Sequence, residues 1–112
     1  HAIRLNPEHA YAYYNRGIAY GVLGRYERAI QDYDHAIRLD PRNAVSYNNR
    51  GLAYVDLGQY QRAIQDYDAA IRLNPEYAGA YYNRGLAYEI IGKQIEAERD
   101  YATAKELGYE GR

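Results

Sequence analysis

Apolar and small residues recur along the chain at intervals of three and four. They fall at Tyr13, Gly17 and Tyr20, then at Tyr26, Ala29, Ile30, Tyr33 and Ile37, which puts each run on one face of a helix. Gly24 separates the two runs and suits a helix stop, because glycine takes up positive φ at little cost. Pro41 ends the second run and can open the next helix, since proline is tolerated in a first turn but not in a helix interior. The alternation continues along the chain and predicts helices over 10–23, 26–39, 44–57, 60–73, 78–91 and 94–107, with a half-helix over 1–5. The predicted fold class is all-α.

The pattern is also a repeat. The stretch YYNRG at 13–17 returns as YNNRG at 47–51 and as YYNRG at 81–85, and Asn6-Pro7, Asp40-Pro41 and Asn74-Pro75 stand 34 residues apart. Gly17, Gly51 and Gly85 keep the same interval, as do Gly24, Gly58 and Gly92. A fixed period of this length marks an array of stacked units. The chain divides without insertion into units at 10–43, 44–77 and 78–111, the last running into Arg112, and residues 1–9 match the tail of a preceding unit: HAIRLNP at 1–7 parallels HAIRLDP at 35–41. A single array over 1–112 is expected. With no Met at position 1, the chain is expected to be a piece of something longer or a processed product.

The pattern Tyr13-x2-Arg16-Gly17-x2-Tyr20, then Ala29-x3-Tyr33, then Pro41, resembles the tetratricopeptide repeat. The small positions agree in all three units: Gly17, Gly51, Gly85; Ala29, Ala63, Ala97; Ala36, Ala70, Ala104. At such positions paired helices approach closely and a larger side chain would push them apart. The resemblance implies a right-handed superhelical α-solenoid of antiparallel helix pairs. Two departures stand out. Tyr replaces the family's Trp and Phe, so eleven of the sixteen tyrosines fall on framework positions. Arg16, Arg50 and Arg84 replace its Leu, and antiparallel pairing should set them beside Asp32, Asp66 and Asp100, since a buried charge needs a partner. In the third unit, Glu98 and Lys105 stand where Ile30 and Ile37, and Ile64 and Ile71, stand earlier. This is the polar outer face expected of a terminal repeat. The N-terminal apolar face, covered only by the half-helix, is expected to favour self-association.

Composition removes several function classes. The net charge of −1 and pI near 6.3 give no general pull toward nucleic acid or an anionic membrane. Cysteine is absent, and no apolar run approaches the 18 or so residues of a membrane span. Localisation is left at the cytoplasm by default. His35 beside Asp32 and Asp34 suggests a metal or an acid–base pair, but the helix pattern puts it on the outer face and unit two has Ala69 there. Gly17, Gly21 and Gly24 lie within or at the end of a helix and form no phosphate loop. No enzyme, catalytic residue, metal or cofactor is expected.

The resemblance further implies that the first helix of each pair lines a concave groove. Asn15, Asn49 and Asn83 occupy one equivalent position there, and a carboxamide can both donate to and accept from an extended peptide main chain. This row is similar to the asparagine ladder in the superhelix of O-GlcNAc transferase; the alternative is that the asparagines pin the helix pairs. Tyr11, Tyr14, Asn48, Tyr82 and Glu89 should flank the row, with Ile18, Leu52 and Leu86 one turn further on. The family's carboxylate clamp for chaperone tails needs Lys and Arg, and Tyr14, Tyr82, Val45, Gly79 and Asn83 stand at those positions, so an acidic-tail adaptor is not expected. The expected function is an interaction scaffold that holds a peptide or protein segment. A self-associating structural array and the non-catalytic targeting arm of a larger enzyme are the alternatives.

Overall fold

The computed structural model describes residues 7–109. These form six helices: α1 (Pro7–Val22), α2 (Tyr26–Leu39), α3 (Ala44–Asp56), α4 (Tyr60–Leu73), α5 (Ala78–Ile90) and α6 (Gln94–Glu106), with no strand among the described residues. All boundaries but one fall within a residue of the predicted spans; α1 begins three residues early. The half-helix expected over 1–5 lies outside the described residues.

α3 and α5 start at 44 and 78, as predicted. Pro7 is the first residue of α1, but Pro41 and Pro75 sit in turns ahead of α3 and α5. In those turns the Asp40 and Asn74 side chains accept from the backbone N–H two residues on, at 3.4 and 3.2 Å, a local bond that competes with helix. α3 then opens at Asn43, whose Oδ1 accepts from the Val45 N–H at 2.9 Å, capping a first-turn donor. Helix stops are as predicted. Gly24, Gly58 and Gly92 have φ of 79°, 78° and 84°, and the next residue donates back to Tyr20, Tyr54 and Tyr88 at 2.9, 2.8 and 2.8 Å, the bond pattern of a left-handed C-terminal cap.

Within each pair the second helix lays a tyrosine ring on a glycine of the first. A Cβ added at Gly17, Gly51 or Gly85 would lie 2.7 Å from Cε1 of Tyr33, Tyr67 or Tyr101. Ala29, Ala63 and Ala97 are wholly buried beside them. Between units, Ile64 packs with Ala87 and the partly buried Tyr88 and Ile91, while Glu98 and Lys105 at the equivalent positions of unit three are exposed, as the polar substitution requires.

The predicted charge pairs are present and bidentate. Arg16 donates to Asp32 at 2.8 Å through both Nε and Nη2, Arg50 to Asp66 at 2.8 and 2.7 Å, and Arg84 to Asp100 at 2.7 and 2.8 Å. Two of these arginines also reach one unit back: Arg50 Nη1 binds Asp34 at 2.7 Å and Arg84 Nη1 binds Asp68 at 2.8 Å. Tyr47 and Tyr54 flank the Arg50 guanidinium at 5.6 and 6.0 Å, and Tyr81 and Tyr88 that of Arg84 at 5.6 and 5.8 Å, within cation–π range. These bonds hold each guanidinium still more firmly charged than usual. The position of Asp34 and Asp68 is Ala102 in unit three.

Successive first helices, α1 with α3 and α3 with α5, touch, whereas successive second helices do not. The array therefore curves, with α1, α3 and α5 on its inner side.

Candidate functional site

The inner face is built by superposing equivalent positions of three similar helices. Because neighbours on a helix face stand three and four residues apart, each helix presents a short polar-to-apolar series toward the curve. From the N-terminal to the C-terminal ends of α1, α3 and α5, the rows are Tyr11, Val45, Gly79; Tyr14, Asn48, Tyr82; Asn15, Asn49, Asn83; Ile18, Leu52, Leu86; and Val22, Asp56, Ile90. Between the first two units the face opens into a cleft of about 300 Å³, lined by Ile18, Gly21, Val22, Asn49, Leu52, Ala53 and Asp56, with Tyr26, Ala29 and Tyr33 from α2.

The asparagine row is only partly turned to the groove. Asn49 Nδ2 donates to the Tyr14 hydroxyl at 3.2 Å, and Asn83 Nδ2 donates to Asn48 Oδ1 at 3.1 Å. Each bond ties a unit to the one before it. One amide N–H of Asn49 and of Asn83 thus pins first helices of adjacent units, rather than the two helices of one pair as the alternative reading expects. Asn15 is exposed, and no hydrogen bond holds it among the described residues.

Other candidates divide in the same way. Asn48, expected to flank the row as a surface residue, is instead buried, its carboxamide accepting from Asn83 and donating to Asn49. Units one and three have Tyr at that position, and the shorter Asn48 sinks into the space between units. Tyr11 is 64% exposed and stacks on Tyr14 at 6.2 Å. Tyr82 packs against Tyr101 at 5.4 Å and against Tyr109, from the segment after α6, at 4.7 Å. Glu89 accepts from the Tyr101 hydroxyl at 2.5 Å; burial, together with this charge-assisted bond, pushes the Tyr101 pKa up. Leu52 and Leu86 are exposed and Ile18 is half-buried.

Sequence reasoning missed the last row. Val22 and Ile90 are 82% and 54% exposed, with the exposed carboxylate of Asp56 between them. The signal is present in the sequence, since each lies four residues beyond Ile18, Leu52 or Leu86. His35, read as a solvated surface residue, is exposed, but it stacks on Tyr13 at 4.7 Å and its Nδ1 lies 2.8 Å from Arg38 Nη2, an arrangement that suits a neutral ring accepting from the guanidinium. Among the described residues no group of acidic and histidine side chains is placed to hold a metal ion.

Comparison with known proteins agrees with this architecture. The tetratricopeptide repeat matches residues 10–43, 32–65 and 78–107, and a TPR repeat description matches 51–92. No curated protein matches the sequence. Among solved structures, the first TPR of Spaghetti (RPAP3), bound to the HSP90 peptide SRMEEVD, is 34% identical with a TM-score of 0.92, the match covering 96% of this chain and 85% of that one. The second TPR domain of human RPAP3, in complex with the HSP70 peptide SGPTIEEVD, is 35% identical with a TM-score of 0.88, covering 95% and 91%. The TPR domain of Arabidopsis OM64 is 31% identical with a TM-score of 0.89, covering 90% and 84%.

Proposed function

The chain belongs to the tetratricopeptide repeat family, and on that premise we propose that it is a non-catalytic interaction module whose inner groove holds a segment of another protein. The observation that carries this reading is the inner face itself, where Leu52, Leu86, Val22 and Ile90 stand exposed beside carboxamides on one concave surface. Exposed aliphatic groups set beside polar ones mark an interaction site rather than a solvated face. The RPAP3 domains hold acidic peptides ending in EEVD. In this chain the inner positions where a carboxylate clamp needs bases hold Tyr14, Tyr82, Val45, Gly79 and Asn83, so the segment held here differs in chemistry from those tails.

The test is selection of ligands from a random peptide display library on the full chain, followed by two substitutions at exposed groove positions. Leu52→Glu should weaken binding of the selected peptides at least tenfold, and Asn15→Ala by a smaller factor, with helicity and melting temperature unchanged. Peptides that bind both variants as well as the parent, but lose affinity on substitution of the outward-facing Gln65, would place recognition elsewhere and reject the groove.

A further inference from the structure

The row at the C-terminal ends of the first helices differs from every other row of the groove in charge. Val22, Asp56 and Ile90 lie side by side on α1, α3 and α5, so that a carboxylate stands between two exposed aliphatic side chains. Asp56 makes no hydrogen bond or ion pair among the described residues, whereas Glu89, the other carboxylate on this face, is engaged by Tyr101. The cations of the first helices are not available to it: Arg16, Arg50 and Arg84 are held by the aspartates of the helix pairs. The rows that line the groove contain no Lys or Arg. A bound segment thus meets a surface that is apolar, negative and apolar in succession, and an acidic segment would meet repulsion with no compensating base.

Spacing converts this order into a sequence preference. Packed helices lie about 8–10 Å apart, and a peptide in the extended polyproline-II conformation rises about 3.1 Å per residue with three residues per turn, so a segment crossing the first helices in that conformation advances about three residues per unit and turns every third side chain to the same face. We infer that the groove selects an extended segment with a Lys or Arg three residues from an aliphatic side chain on either side, the cation meeting Asp56 and the aliphatic groups meeting Val22 with Leu52 and Leu86 with Ile90. This rests on the groove reading and names the partner chemistry for it. The motif is symmetric, so either chain direction satisfies it.

Two fluorescein-labelled peptides test the inference, Gly-Leu-Ser-Thr-Lys-Ser-Thr-Leu-Gly and the same peptide with Glu for Lys, titrated with the full chain by anisotropy and by amide chemical shifts. The Lys peptide should bind at least tenfold more tightly than the Glu peptide at low salt. The preference should shrink as salt screens it, and Asp56→Lys should reverse it. Equal affinities, a preference for Glu, or no binding of the Lys peptide at millimolar concentration would overturn the inference. If display-selected peptides still lose affinity on Leu52→Glu in that case, the groove reading stands without it. Shifts confined to the outer helices would overturn both.

Discussion

Arg50 shows how single residues replace an apolar contact in this array. It carries a side chain only 21% exposed between two tyrosine rings and two carboxylates. Its pairing with Asp66 was legible in the sequence, because residues 16 apart on antiparallel helices come level and an arginine on a packing face demands a counter-charge. The second carboxylate, Asp34, was not legible, since it depends on how closely one unit stacks on the next. Burial also pushes the Asp66 carboxyl up, outweighing Arg50, so desolvation sets much of the balance. Asp66→Ala should destabilise the fold by about 2–3 kcal/mol by leaving the guanidinium half-paired, and adding Arg50→Leu should recover more than half of that loss. Urea unfolding of the two single variants and the double variant checks this; strict additivity would mean that the residues do not act as a unit. The burial of Asn48 was equally hidden, because Asn and Tyr share a position whose depth depends on side-chain length.

At the scale of helices, the three- and four-residue periodicity carried nearly all the information, and positive-φ glycines fixed where each first helix stops. Pro41 and Pro75 mark the breaks between pairs, and Asp40 and Asn74 form their own turns before α3 and α5 begin at the predicted 44 and 78. Two glycines on first helices predict opposite outcomes for the same change. At Gly51 an added methyl would lie 2.7 Å from the ring of Tyr67, which is fully buried and has no room to give; Gly51→Ala should cost about 1–3 kcal/mol. At Gly21, within α1, nothing lies within 4 Å of the added methyl, so Gly21→Ala should gain about 0.5–1 kcal/mol by removing helix-interior glycine. Thermal melts followed by circular dichroism should move in opposite directions; a shared direction would show that the close Gly–Tyr contact is not what constrains the helix pair.

The whole molecule has a core of alanine, glycine and tyrosine, and that gives it an alkaline limit. Burial pushes the Tyr33 hydroxyl up to about 12 and that of Tyr67 up as well. Both are protonated in the fold, while in the unfolded chain they ionise near 10. Their contribution is fully present below pH about 10 and is lost as pH rises through about 12. Helix content and tyrosinate absorbance should therefore change together in that window; tyrosinate appearing for the buried rings with helices intact would contradict the coupling. The charge clasps add a longer-term consequence. Those of Arg50 and Arg84 are each spelled by residues in two neighbouring units, so an in-frame duplication of the second unit's 34 codons would bring a new arginine to face Asp68 and need no compensating mutation. Duplication of the third unit would set Arg84's copy against Ala102. Copying is thus permitted at the second unit and penalised at the third, where the carboxylate is missing and Glu98 and Lys105 stand in place of the stacking isoleucines.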